Sequence, residues 1–467
     1  MPRSLVAIAA IAAAVALAPA PHAAPASGPQ YVAPAKSGAL FLLSGHGYGH
    51  GVGMGQWGAQ GYAKQGYTYD QILDAYYPGT TLGQTATTSI RVLLASGKKK
   101  LAISSKKPID VEDGDGIDHT LAAGTTTVTP ALKLAVDGGP AQALAPPLTF
   151  SPAAGTSLTL GRKYRGRIVV DVPSKKLRAI NVLPLQQYLD GVVTAEMPSS
   201  WLPAALQAQA VAARSYALAS RQAGAPYDVS AGGQAYLGVS AETTAGRQAV
   251  GLTDGQVLLY NGSVALTLFS SSTGGWTQSA ADAFGAPGRP YLVSVRDPYD
   301  SISPWHSWGP VPVTGTTLAS ALGVVGRVVD ATAKHNASHR VKTLKVTSLS
   351  QGEQLTDSVG GEAVRSMLGL RSTWFSVGVL SLQPPSPNPV VKPRTRVMLS
   401  GVVRGVRGAV VQKSTDGATW TQLRSLTTPG SFQFSVKPKV TTQYRLATPN
   451  DAAAPVRIRV RAATLRQ

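Results

Sequence analysis

The chain has 467 residues, enough for two or three domains with a sizeable core. Forty-nine glycines, 33 prolines and a charged fraction of only 14% point to a turn-rich, β-rich protein, and the absence of cysteine excludes disulfides and thiolate metal sites. A formal charge of +20 implies a polyanionic neighbour. No Lys/Arg run interleaves with aromatics as a nucleic-acid groove would require, so nucleic acid is not expected as a partner.

Arg3 precedes an apolar run from Leu5 to Ala18, followed by the small-x-small pattern Ala24-Pro25-Ala26. This predicts a secretory signal peptide over residues 1–26. No later segment is long and apolar enough to cross a membrane, so a secreted or cell-wall location is expected, with no stable membrane span after cleavage. Residues 27–43, rich in Pro, Ala, Ser and Gly, predict a linker.

From Gly45 to Gln56 glycine occupies every second position, with His46, Tyr48, His50, Val52, Met54 and Gln56 between. An extended segment of this kind would show one bare backbone face and one polar face. A phosphate loop fails for lack of a following Gly-Lys-Ser/Thr, and a dinucleotide fingerprint fails for lack of a βαβ unit. A metal site from His46 and His50 has no carboxylate or thiolate close in sequence. Two readings remain: a groove wall for a long polar ligand such as a glycan, and a plain glycine hairpin.

Thr68 with Gln71 forms a capping-box pattern that opens a short helix ended by Pro78-Gly79. Short strands are predicted at 90–94, 101–104, 125–129, 158–160 and 168–172. The Lys98-Lys99-Lys100 cluster reads as a solvated turn. Pro184 opens a helix that must stop near Glu196, because Met197 precedes Pro198. An Ala-rich helix follows from Pro203. Residues 250–300 and 340–380 read as strands and turns. The Pro-rich stretch around Pro384-Pro385 predicts a spacer over 381–392, and 393–467 predicts an immunoglobulin-like β-sandwich. The fold class expected is α+β and β-rich: mixed strands with a helical pair, plus a C-terminal all-β sandwich.

Glu196 stands at a helix end among Val192, Val193, Met197 and Trp201. The negative end of the helix dipole and an apolar wall both favour a protonated carboxyl, the state a general acid needs. The alternative is a helix-end glutamate paired with a cation. Arg214, inside the Ala-rich helix, must have a partner. That partner is a carboxylate such as Asp190 or Glu196, or a substrate anion. Ser270 to Gly275 offers hydroxyls and flexible amides at a strand end, either as a ligand contact or as a polar turn. No Gly-x-Ser-x-Gly elbow is present.

Several of these segments together resemble the bacterial stage II sporulation protein D family, which includes the amidase enhancers. The matching residues are Leu183 to Val193 leading into Glu196-Met197-Pro198, Ala208 to Ala217, Ser271 to Thr277, Pro290-Tyr291-Leu292 with Val295, Leu368 to Thr373, and Gly49 to Ala59 followed by Tyr76 to Thr80. The resemblance covers about 45–380, read as one domain over 44–380. In the family the glycine-rich stretch usually closes the domain; here it precedes everything, so the chain looks circularly permuted, a change compatible with domain termini that lie close together.

The resemblance implies a peptidoglycan lytic transglycosylase with Glu196 as its single catalytic carboxyl, or a non-catalytic wall-binding enhancer of an amidase. Ordinary glycosidases place two carboxyls about 5 to 9.5 Å apart; near Glu196 only Asp190 stands out, six positions back and on another face. Arg214, Tyr216, Ser271, Ser272, Thr273, His50 and Gln56 are expected to bind substrate. Some members are thought to bind zinc through cysteine. This chain has no cysteine, so no metal and no cofactor are expected. The expected partners are glycan strands, the anionic wall and a wall amidase.

Overall fold

The computed structural model describes residues 38–285, 288–386 and 389–461. The signal-peptide segment, the first part of the 27–43 linker and the chain end after 461 lie outside the described residues. Strands predominate over helices, in several sheets, and the fold is β-rich α+β. Among the described residues no helix is long and apolar enough to cross a membrane. The described chain forms two compact units, one built from 59–269 and the other from 38–58 with 270–461.

In the first unit a seven-stranded sheet runs in the order Val229–Ser230, Ser89–Lys98, Leu177–Pro184, Arg167–Asp171, Leu148–Pro152, Ile109–Glu112 and Asp118–Leu121. Alternate apolar residues such as Ile109, Val111, Phe150, Ile168 and Val170 are buried, the period of two that half-buried strands require. Lys98, Lys99 and Lys100 are exposed at a strand end, as expected of a solvated turn. The Thr68 amide donates to Gln71 Oε1 at 3.0 Å ahead of the Tyr69–Tyr76 helix.

The predicted helix from Pro184 is two short helices, Leu185–Asp190 and Val193–Glu196, broken at Gly191. It stops where Met197 turns extended (φ −125°, ψ 143°) ahead of Pro198. The Pro203–Ala219 helix is buried on most sides, because alanine lets neighbours approach closely. It is tied to the Gln256–Tyr260 strand: the Leu258 amide donates to Ser215 Oγ at 2.9 Å.

The second unit is organised on an antiparallel sheet ordered Trp308–Thr314, Leu40–Gly45, Phe375–Gln383, Val397–Arg404 and Gly430–Val436. One core packs Phe41, Leu43, Phe375 and Val379 with Leu344 and Val346 of a three-stranded sheet. The helix Gly361–Leu368 lies within 340–380, a region expected to hold only strands and turns; buried Val364 joins this core.

A second core packs Leu380, Leu382, Val397 and Leu399 against Val411, Leu446 and Ile458. The latter three belong to a sheet ordered Val390–Val391, Val456–Val460, Thr442–Ala447, Val410–Ser414 and Thr421–Ser425. The expected boundaries therefore move. The 27–43 linker gives way to a strand by Leu40, with Phe41 and Leu43 fully buried. Residues 378–382 are all buried, so the Phe375–Gln383 strand serves both cores and the spacer begins only after it. Within the C-terminal segment the strand Thr421–Ser425 is exposed along its whole length.

Candidate functional site

The first unit holds Glu196, Arg214 and Tyr216, and the second holds His50, Gln56, Ser271, Ser272 and Thr273. Glu196 ends a four-residue helix, half-buried, with Val192, Val193 and Met197 buried around it. The Ala235 amide donates to Glu196 Oε1 at 2.6 Å and fixes the carboxyl's direction. Tyr188 and Tyr216 both sit within its electrostatic reach, and burial, the larger cause, raises both phenols. Tyr188 donates to Gln234 Oε1 at 2.6 Å, and Gln234 Nε2 donates to the Ala213 carbonyl at 3.1 Å. The loop carrying Ala235 is thereby pinned to both helices. Tyr236 packs between Tyr188 and Tyr164 with tilted rings whose centroids lie 5.0 and 5.5 Å apart.

Asp190 does not complete a carboxyl pair with Glu196. Its charged neighbours are Glu242, Arg247 and Arg165, and burial followed by Glu242 pushes its carboxyl up to about 6. Glu242 forms a fork-to-fork pair with Arg165, both contacts at 2.7 Å.

Arg214 is fully buried, and its bonded partners are neutral. Nη1 donates to the Gln256 carbonyl at 2.9 Å; Nη2 donates to Gln186 Oε1 at 3.0 Å and to the Val250 carbonyl at 3.4 Å. Burial pushes the guanidinium down to about 10. Neither the expected carboxylate partner nor an accessible anion clamp is realised. The side chain spends these donors tying its helix to the strand and helix beside it.

In the second unit the glycine segment is no flat strand. Gly47, Gly49, Gly51 and Gly53 have φ of 76°, 108°, 72° and 71°, the left-handed side that glycine alone enters freely. Burial nevertheless alternates: Gly45, Gly47 and Gly49 are buried while His46, Tyr48 and His50 are half-buried. Neighbouring backbone occupies the bare side. A Cβ on Gly47 would lie 2.7 Å from the Ser272 carbonyl oxygen. The Gly47 amide donates to the Trp305 carbonyl and the Gly49 amide to the Arg371 carbonyl, each at 2.9 Å. His50 Nδ1 accepts from the Val52 amide at 3.0 Å, and Gln56 is buried.

Of the serine-threonine trio only Ser271 is half-exposed. Ser272 Oγ donates to the Asp300 carboxylate, and Thr273 Oγ1 donates to Asp297 Oδ2 at 2.8 Å. The two hydroxyls expected to meet substrate are thus spent inside the unit. Asp300, itself fully buried, also accepts from the Thr273 and Gly274 amides at 3.0 Å each and pairs with His306 Nδ1 at 2.9 Å.

Sequence reasoning missed Asp297, Asp300 and His306, although two aspartates three apart ahead of Ser303-Pro304-Trp305-His306 were a visible signal. It also missed Trp374, whose indole lies 4.8 Å from the His46 ring and is stacked by His339 at 5.5 Å. A cavity of about 380 Å³ opens between His46, His335, Trp308 and Trp374. Burial keeps His46 below the usual histidine range.

The family model described as stage II sporulation protein matches residues 173–260, the stretch that contains Glu196, Arg214 and Tyr216. The chain is similar to stage II sporulation protein D of Bacillus subtilis (29% identity over 224 residues, 42% of this chain and 61% of that protein). It is also similar to the Bacillus amyloliquefaciens protein of the same name (30% over 222 residues, 42% and 61%) and to an amidase enhancer of B. subtilis (39% over 117 residues, 25% and 16%). Over this stretch the chain is similar to the stage II sporulation protein D and amidase enhancer family. It spans about three fifths of the two sporulation proteins and less than a fifth of the amidase enhancer. No solved structure matches.

Proposed function

We propose that this chain is a cell-wall protein that cleaves peptidoglycan as a lytic transglycosylase, with Glu196 as its acid and base. A cell-wall-related function is what the family supports. The observation that carries the finer reading is Glu196 itself: a half-buried carboxyl, aimed by the Ala235 amide and within electrostatic reach of Tyr188 and Tyr216, inside the matched segment. One carboxyl suffices for this chemistry. Protonated, it gives its proton to the glycosidic oxygen between N-acetylmuramic acid and N-acetylglucosamine as that bond breaks. The carboxylate left behind takes the proton of the muramic C6 hydroxyl. That oxygen closes on the anomeric carbon and leaves a 1,6-anhydro end. Water is not consumed, so no second carboxyl is needed to activate it.

Purified protein should release anhydro-muropeptides from glycan strands, and Glu196→Gln should not. Equal release by both sinks the reading. A second reading is favoured by the similarity to an amidase enhancer: the chain binds wall without cutting it and accelerates an added amidase. In that case neither protein releases anhydro-muropeptides.

The permuted order also belongs to this proposal. Leu40–Gly45 and Phe375–Gln383 are antiparallel neighbours, with Leu40 opposite Leu380, so the open ends of the two strands lie where a hairpin would join them. In this chain Phe375–Gln383 instead leads to Val397–Arg404.

A further inference from the structure

The C-terminal sheet carries a surface that the proposed reaction does not use. Residues 389–461 hold thirteen lysines and arginines against two aspartates, so more than half of the chain's net charge of +20 lies in this segment. The charge is not spread evenly around the strands. In Val456–Val460, Val456 and Ile458 point into the core while Arg457 and Arg459 alternate with them and are exposed. In Thr442–Ala447, Tyr444 and Leu446 point inward and Gln443 and Arg445 outward. Register places Gln443 opposite Arg457, Arg445 opposite Gln412, and Gln412 opposite Gln422. The outer face therefore carries a stepped row of guanidiniums and amides: Arg457 beside Gln443 on two strands and, two residues along, Arg445 beside Gln412 and Gln422 on three.

One end of the row is prearranged. Arg445 lies over the Trp420 ring, 4.0 Å from its centroid, and its Nε donates to Gln412 Oε1 at 2.7 Å. The nearby carboxylate, Asp416, does not face this row as an open acceptor. It takes hydrogen bonds from Ser414 Oγ and from the Ala418 and Thr419 amides of its own turn.

We propose that this face, centred on Arg457, Arg459 and the Arg445–Trp420 pair, binds a linear polyol-phosphate polymer of the bacterial envelope. Exposed guanidinium forks match phosphate oxygens better than ammonium groups do. The glutamine amides match hydroxyls between the phosphates, and the indole offers a flat apolar surface to the polyol carbons. A bare carboxylate polymer would use the arginines but leave the amides and the indole without partners. Duplex nucleic acid is disfavoured because the row lies on a sheet face with neither a helix nor a paired ribbon projecting to enter a groove. The inference is independent of whether Glu196 cuts glycan.

The test uses the full chain against immobilised linear poly(glycerol phosphate) at physiological salt. Arg457→Gln with Arg459→Gln should weaken binding about tenfold or more, with thermal unfolding unchanged because both side chains are exposed. The triple change Lys98→Gln, Lys99→Gln, Lys100→Gln removes more charge from exposed positions elsewhere and should leave binding intact. Unchanged affinity of the arginine variant overturns the proposal. So does an equal loss in the lysine variant, which would mean that net charge alone binds. Equal or tighter binding of polyglutamate or duplex DNA by the unmodified chain overturns the assignment to a polyol phosphate.

Discussion

Ser272 and Asp300 are joined through one hydroxyl placed 2.9 Å from both carboxylate oxygens, deep in the second unit. The same carboxylate holds the Thr273 and Gly274 amides and His306. Replacing it strands several donors at once, and a buried donor without an acceptor costs far more than an average hydrogen bond contributes. Asp300→Asn should destabilise the second unit by about 3 kcal/mol, read as a shift of its tryptophan-detected urea transition. Ser272→Ala removes a single donor and should cost about 1 kcal/mol. Equal effects of the two changes would contradict the role of Asp300 as the hub.

Gly47 and Gly251 make opposite predictions for the same substitution. Gly47 has φ of 76°, and a Cβ there would meet the Ser272 carbonyl oxygen at 2.7 Å. Backbone cannot swing aside as a flexible side chain does, so Gly47→Ala should cost about 2 to 4 kcal/mol. Gly251 is exposed in the Thr244–Leu252 helix, with nothing near an added Cβ. Gly251→Ala should stabilise by about 0.5 to 1 kcal/mol. Thermal unfolding of both variants checks the pair. A tolerated alanine at 47 would show that the glycine alternation is not needed for close approach.

The legible parts of this molecule are those set by neighbours in sequence. Met197 before Pro198 stops a helix wherever the chain folds, and the Val456–Val460 strand follows from its own alternation. Glu196 was legible for the same reason: the stop places it at a helix end. The alternation from Gly45 to Gln56 was legible as a pattern, but its cause was not. Which backbone fills the bare side depends on residues 270–273 and 305, more than 200 positions away. The same distance hid Asp300, whose partners at 272–274 precede it by 26 to 28 residues. Ser272 and Thr273 looked like ligand groups because their carboxylate acceptors were not in view. Domain edges failed where one strand, Phe375–Gln383, serves two cores.

Arg214 tests whether a buried cation in this helix serves the fold or the substrate. Arg214→Ala removes donors to the Gln256 and Val250 carbonyls and to Gln186, and leaves a cavity. Those effects together should cost about 3 to 5 kcal/mol. Arg214→Lys keeps the charge but not the planar fork, and should lower the melting temperature less than alanine does. The folded fraction of the lysine variant should keep the parent's affinity for glycan strands. Weakened glycan binding at unchanged stability would instead make Arg214 a substrate contact.

Asp190 gives the first unit a pH dependence with a definite sign. Its carboxyl is pushed up to about 6 from an ordinary 3.8, first by burial and then by Glu242, with Arg247 and Arg165 opposing. The folded state therefore holds this proton more tightly than the unfolded chain. The resulting stabilisation is complete below pH 4 and is lost as pH rises through about 6. The shift alone corresponds to about 3 kcal/mol, but solvent screens a half-exposed group, and on the order of 1 kcal/mol should remain. Asp190→Asn cannot ionise and lacks this loss. The parent's first-unit transition should fall relative to that of the asparagine variant between about pH 4 and 7, and the two should run parallel above about pH 7. Parallel curves across the whole range would mean that Arg165 and Arg247 already neutralise the site, and that Glu242 exerts no net repulsion on Asp190.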